Sequence, residues 1–305
     1  MKIYIDSANL TEIQDAIENF GAAGVTTNPT LIQRAAMAAE KQRNGFNLEK
    51  HIQAILDLAG PERPVSLEVL GINRFLIYKQ AMILIEKFSK RYDNVVIKVP
   101  VCPAVRSKAV EVKDGIKSVD QLERRGVRVN ATLAMIPFQA YAAACAGASF
   151  VSPFIGRMHS YLSGEISDVP MDRRGLESGN DLIVGAVQSV RGTKTKIIGA
   201  SIRTTEQFYW ALEAGAHIVT VPYPVMVQLG KEILESAGSC PIYTGSPDKK
   251  PDNIAILLED RAFSENISHP MTMAGMKAFM RDAKKVPEYA ALCRNGRQAY
   301  ARRNP

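Results

Sequence analysis

Residues 94–100 read Asn94-Val-Val-Ile-Lys-Val-Pro100. A run this short, built from β-branched residues and ended by proline, reads as a strand. Its nearly unbroken apolar character fits a strand buried on both faces, as in a parallel sheet. The same signature recurs at Lys2–Asp6, Gly24–Thr27, Pro64–Leu70, Arg128–Ala131, Phe150–Pro153, Lys196–Ser201 and His217–Val221, giving eight such runs.

Between the runs, apolar residues fall at helical spacing. Ile13, Ala16, Ile17 and Phe20 lead into Gly21, a suitable C-terminal cap, and Phe208, Ala211 and Leu212 lead into Gly215 in the same way. Pro137 and Gly147 mark the start and end of a helix between the fifth and sixth runs. Ala146-Gly147-Ala148 and Ala214-Gly215-Ala216 echo one another, as repeated strand–helix units would. The alternation predicts an α/β chain closed as a (β/α)8 TIM barrel; no GxGxxG or Walker loop points to the alternative, an open doubly wound sheet. Residues 1–305 are expected to form one such domain, interrupted by a turn-rich insertion over about 237–268. Appended C-terminal helices are expected over about 271–302, at Thr272–Lys284 and Glu288–Arg302.

Composition is consistent with this. The chain has 305 residues, 46% of them hydrophobic, which suffices for a barrel core. No stretch reaches the roughly 18–20 apolar residues that span a bilayer. The N-terminal Met-Lys-Ile-Tyr-Ile-Asp meets an acid too soon for a signal peptide, so cytoplasmic residence is expected. The cysteines, Cys102, Cys145, Cys240 and Cys293, never form CxxC, and His51, His159, His217 and His269 lack metal spacing. Reduced, mostly structural thiols and no metal site are the expectation. The net charge of +7 favours anionic partners. Its basic residues are dispersed, without the aromatic-interleaved basic motif of a nucleic-acid binder; phosphorylated metabolites fit as well, and charge alone does not choose between them.

In such a barrel the strands' C-terminal ends carry the chemistry. That rule selects Asp6, Asn28, Glu68, Lys98, Asn130 with Thr132, Ser152 and Ser201. Singly, Asp6 and Asn28 also read as helix caps, and the serines as small packing residues. Lys98 stands apart. Held among branched apolar residues, an ammonium loses hydration and the free amine is favoured; a free amine can attack a ketone and form an imine. The competing reading is a lysine that snorkels outwards or pairs with Glu68. Arg157 and Arg203 follow the sixth and seventh strands, where barrels often bind phosphate; surface ion pairs are the alternative.

These residues resemble the transaldolase family of class I, Schiff-base aldolases. The resemblance rests on Ile5-Asp-Ser-Ala-Asn-Leu10, Gly24-Val-Thr-Thr-Asn-Pro-Thr-Leu-Ile32, Val96-Ile-Lys-Val-Pro100, Val129-Asn-Ala-Thr-Leu133, Val151-Ser-Pro-Phe-Ile-Gly-Arg157 and Ala200-Ser-Ile-Arg203. They keep the family's order over residues 1–225 or so, and His269-Pro-Met-Thr resembles the tail of its shorter members. The resemblance implies a cofactor-free barrel in which Lys98 forms the imine with C2 of a ketose phosphate. Asp6 would exchange the C4 hydroxyl proton as C3–C4 breaks. Glu68, through a water held by Thr132, would move protons during imine formation and hydrolysis. Asn28, Asn130 and Ser152 would hold the three-carbon unit, with Phe154 and Ser201 also at the substrate. Arg157 and Arg203 would bind phosphate.

The family divides into transaldolases and fructose-6-phosphate aldolases, and the latter typically carry Gln at the position of Glu68 and Tyr at that of Phe154. Phe154 and Glu68 therefore imply transfer of dihydroxyacetone to an acceptor aldehyde, by default between sedoheptulose 7-phosphate and glyceraldehyde 3-phosphate. A lyase releasing dihydroxyacetone, a transaldolase for another sugar and a non-catalytic phosphosugar binder are the alternatives. The resemblance also implies a homo-oligomer, because the short members seat this tail on a neighbouring subunit. The chain departs from the family in a long stretch between Lys98 and Asn130 and in the Ala237–Ile267 region.

Overall fold

A computed structural model describes residues 1–89, 93–103, 112–236 and 263–291, with the side chains of 233–236 left aside. Eight parallel strands close into a barrel in sequence order, β8 pairing back onto β1. They are β1 (Lys2–Asp6), β2 (Val25–Thr26), β3 (Val65–Glu68), β4 (Val95–Pro100), β5 (Val129–Ala134), β6 (Phe150–Pro153), β7 (Lys196–Gly199) and β8 (Ile218–Val221). Each coincides with one of the eight expected runs.

The period of two along a strand sorts the side chains into layers. Tyr4, Val96, Phe150, Ile198 and Ile218 point into the barrel and make one apolar cluster. Two residues further along, the inward positions of those strands are Asp6, Lys98, Ser152, Ala200 and Thr220. The interior thus changes from oil to polar groups within one step of the pleat. The intervening positions, Ile5, Ile97, Val151 and Val219, are fully buried outwards against the helices. Each such side chain contributes about 1.5–3 kcal/mol.

The helical shell contains α1 (Leu10–Glu18), α2 (Pro29–Lys41), α3 (Leu48–Ala59), α4 (Arg74–Phe88), α5 (Asp114–Glu123) and α6 (Pro137–Cys145). It continues with α7 (Ile155–Leu162), α8 (Gly179–Ser189), α9 (Thr205–Glu213) and α10 (Tyr223–Ser236). Side-chain oxygens start many of them: Asn9, Asn28, Asn47, Asn73 and Thr204 each accept a backbone N–H of the first turn.

Two local departures from the expected strands matter for the site. β7 stops at Gly199 instead of Ser201, because Ser201 has φ +59°, a left-handed conformation that cannot continue a strand. β5 carries an irregularity between Ala131 and Ala134, where Leu133 also has φ +59°. Such a bulge re-aims the chain just after Thr132.

After the stretch 237–262, which lies outside the described residues, come α11 (Phe263–Ile267) and α12 (Pro270–Ala283). The second matches the expected Thr272–Lys284 helix. A further helical turn begins at 287–291, so most of the expected Glu288–Arg302 helix lies outside the described residues. Within the chain, α12 packs on α2 and β5. Thr272 Oγ1 donates to the bulged Leu133 carbonyl (3.0 Å), and Thr30 Oγ1 donates to Asp282 Oδ2 (2.6 Å). Tyr289 Oη donates to the Glu68 carbonyl (2.6 Å).

Cys102 is buried and Cys145 half-buried, and Cys240 and Cys293 lie outside the described residues. Among the described residues no helix is long and apolar enough to cross a membrane.

Candidate active site

Parallel register brings three of the sequence-selected residues into one lateral row. Glu68 on β3 pairs with Lys98 on β4, and Lys98 pairs with Asn130 on β5. Residues in one row point to the same side of the sheet, here the interior, so an amine is flanked by a carboxyl and an amide. Lys98 Nζ lies 3.2 Å from Glu68 Oε2 and donates to the Thr27 carbonyl at 2.9 Å. The snorkelling alternative therefore fails: Lys98 is 4% exposed and Glu68 0%. Pairing with Glu68, the other alternative, is found, and it coexists with an inward-facing amine.

Burial raises the Glu68 carboxyl to about 7, against the pull of the Lys98 ammonium. A buried carboxyl is costly to ionise, and a nearby cation recovers only part of that cost. Neither Glu68 oxygen accepts a well-directed hydrogen bond among the described residues, and the buried hydroxyl of Thr132 and amide nitrogen of Asn130 are likewise without one. Buried polar atoms are normally satisfied, so this concentration of unused capacity marks a place built for guests.

Asp6, at the end of β1, is raised by burial too, with Lys98, Thr26 and Arg34 pulling the other way. Thr26 Oγ1 donates to Asp6 Oδ1 (2.7 Å) and lies 2.6 Å from Thr220 Oγ1. Ser152 Oγ donates to Asn130 Oδ1 (2.7 Å), which leaves the amide NH2 of Asn130 available. Asn28 does act as the N-cap of α2, accepting from Leu31 N at 3.0 Å, and it lines the same cleft. Both readings of Asn28 hold.

That cleft has a volume of about 300 Å³. Asp6, Asn28, Lys98, Ser152, Phe154, Arg157, Ser201 and Arg203 all line it. Glu68, Asn130 and Thr132, each 0% exposed, do not reach its surface. The first turn of α7, just after β6, approaches the loop after β7 very closely. A Cβ on Gly156 would stand 2.2 Å from the Ser201 carbonyl oxygen, so only glycine fits. This contact lets the Arg157 N–H donate to Ser201 Oγ at 3.2 Å. The Arg203 guanidinium donates to Ser160 Oγ (2.6 Å). Arg157 is lowered by burial first and by neighbouring Arg203 second, a pair of cations that an anion would reconcile.

The reading of strand ends overlooked Thr26 and Thr220, although both stand at the end of a strand. It also overlooked Arg34 and Phe279, which line the cleft from α2 and α12. Arg34 stands within the quoted motif's helix; Phe279 carries no local signal. Among the described residues, no group of three or more His, Cys, Asp or Glu gathers as a metal site.

Chemically, the cleft offers a primary amine, the Asp6 carboxyl, amide and hydroxyl donors and two guanidinium groups, with the Glu68 carboxyl buried directly beside the amine. The family model described as Transaldolase/Fructose-6-phosphate aldolase matches residues 3–289. A probable transaldolase of Clostridium botulinum (strain Langeland) is 34% identical over 238 residues, covering 78% of this chain and 93% of that protein. A probable transaldolase of Clostridium perfringens (strain SM101) is also 34% identical over 238 residues, covering 78% and 94%. A third, from Clostridium botulinum (strain Eklund 17B), is 35% identical over 240 residues, covering 78% and 94%. With a family match over nearly its whole length and relatives of this identity, the chain belongs to the transaldolase/fructose-6-phosphate aldolase family.

Proposed function

We propose that the chain transfers a dihydroxyacetone unit from a ketose phosphate to an aldose phosphate through an imine on Lys98. The observation that carries the reading is the buried row Glu68–Lys98–Asn130, an amine facing a cleft beside a carboxyl that titrates at about 7. The amine attacks C2 of the ketose, and loss of the C2 oxygen as water leaves the imine. Glu68, able to give or take a proton near neutrality, serves the proton transfers of that dehydration and of the later hydrolysis. The unpartnered Thr132 hydroxyl can hold the water involved.

As the C3–C4 bond breaks, its electrons pass into the imine and generate an enamine, and the C4 hydroxyl proton passes to Asp6. The aldose leaves, an acceptor aldehyde takes its place, and the enamine carbon attacks it. Asp6 returns the proton, and water then releases the new ketose and the amine. Asn28 and Ser152, with Asn130 hydrogen-bonded behind Ser152, hold the three-carbon unit, Ser201 lies at the substrate, and Arg157 and Arg203 bind the phosphate. Division of labour between two separate carboxyls suits two separate proton transfers.

Phe154 favours transfer over release, because its ring has no hydroxyl with which to protonate the enamine. On this reading the partners are sugar phosphates, with sedoheptulose 7-phosphate or fructose 6-phosphate as donor, in the pentose phosphate interconversions of the cytoplasm. Product analysis tests the choice between transferase and lyase. Sedoheptulose 7-phosphate alone should give only stoichiometric cleavage, and added glyceraldehyde 3-phosphate should start turnover. Steady release of free dihydroxyacetone from fructose 6-phosphate without an acceptor would establish the lyase instead.

A further inference from the structure

Among the described residues the Arg157 side chain makes no hydrogen bond and no ion pair. Two aromatic rings hold it. Its guanidinium carbon lies 5.7 Å from the centre of Phe154 and 5.6 Å from the centre of Phe279. Both distances are within the reach of cation–π attraction, which grows as the site is dried. Phe154 follows β6, whereas Phe279 sits on α12, in the tail of the chain. Phe279 is 2% exposed, yet its ring lines the cleft.

The docking of α12 is specific at this point. A Cβ on Gly275, one turn before Phe279, would stand 2.7 Å from both Arg157 Nη1 and Leu133 Cδ2, so the absence of a side chain lets the helix approach the arginine. Thr272, a turn earlier, is tied to the bulged Leu133 carbonyl. The helix is thus seated on the β5 bulge with Gly275 and Phe279 facing one guanidinium.

An arginine fixed by carboxylates spends its donors on them. One held by aromatic rings commits no N–H group to a protein acceptor, so a phosphate's oxygens can meet those that face the cleft. The rings also offset the burial and the repulsion from Arg203 that work against this cation. We propose that Phe279 is a positioning residue for substrate phosphate. With Phe154 it holds the Arg157 guanidinium in a plane with its donors unspent, so that the phosphate site is complete only when the C-terminal helix is docked. This inference rests on the reading of Arg157 as a phosphate ligand.

Phe279→Leu keeps an apolar side chain but removes the ring face, and Phe279→Tyr keeps the face. For the wild type and both variants, the measurements are inorganic phosphate binding by calorimetry, steady-state constants on fructose 6-phosphate and on unphosphorylated fructose with a saturating unphosphorylated acceptor aldehyde, and melting temperature. The leucine variant should weaken phosphate binding and raise KM for fructose 6-phosphate by about 3- to 30-fold, the span of a cation–π contact between exposed and dry settings. Its kcat, and its kcat/KM on fructose, should stay within about twofold, with the tyrosine variant close to the wild type throughout. An equal loss on both sugars in the leucine variant, or unchanged phosphate binding, would overturn the clamp. Should the wild type turn over neither sugar, the proposed reaction fails, while the calorimetric comparison still decides the clamp.

Discussion

Replacing Glu68 by glutamine should change how stability depends on pH, by an amount that follows from the site. The carboxyl moves from an ordinary 4.5 to about 7 on folding, so its folded-state value is raised. A raised value means that the folded protein binds the proton more tightly than the unfolded chain. The associated stability is complete below about 4.5 and is lost as pH rises through 7. A shift of 4.5 to about 7, at roughly 1.4 kcal/mol per unit, gives a ceiling of about 3 kcal/mol. Glu68 is 0% exposed, so solvent screening does not reduce this figure. Between pH 5 and 7.5 the two titration curves diverge by about 2 kcal/mol. Glutamine fills nearly the same volume and does not titrate. It leaves the Lys98 ammonium without its partner, which adds an offset, so the informative quantity is the slope with pH. Reversible urea unfolding at pH 5, 6 and 7.5 provides it. The stability of Glu68→Gln relative to the wild type should rise by about 2 kcal/mol over that interval. A flat difference, or one that falls with pH, would refute the claim that burial rather than the Lys98 charge dominates at Glu68.

Two further outcomes follow from the geometry. Asp6→Asn keeps the shape but cannot take the C4 proton. Turnover should fall by about 10²- to 10⁴-fold while borohydride still traps a whole-sugar adduct on Lys98, and a three-carbon adduct formed at the wild-type rate would show that another group takes that proton. Gly156→Ala places a Cβ 2.2 Å from the Ser201 carbonyl oxygen and 2.7 Å from Gln207 Oε1. Prising the β6 and β7 loops apart should cost about 1–3 kcal/mol in unfolding experiments and raise KM for a phosphorylated sugar; an unaltered melting temperature and KM would mean that the loops approach less closely.

The barrel was legible because parallel strands buried on both faces leave short Val- and Ile-rich runs, and because eight of them alternate with helical patterns. What stayed hidden was where a strand departs from regularity. Nothing in Leu133 or Ser201 announces a left-handed backbone; those conformations come from the contacts of the β5 bulge with α12 and of the β6 loop with the β7 loop. The cleft residues on strand ends were legible for the same reason as the barrel, since position along a parallel strand fixes depth. Thr26 and Thr220 satisfy that rule and were passed over because threonine is also an ordinary strand former. Phe279 and Tyr289 could not be found this way at all. Their place beside Arg157 and Glu68 depends on how the tail helix docks, across a stretch of chain whose sequence carries no periodic signal.

The central claim is that Lys98 is the nucleophile. Incubation with fructose 6-phosphate, reduction with borohydride and mapping of the modified peptide by mass spectrometry tests it most directly. The account predicts a three-carbon adduct on Lys98 and its disappearance in Lys98→Met. An unmodified Lys98 after treatment with both fructose 6-phosphate and sedoheptulose 7-phosphate would contradict it.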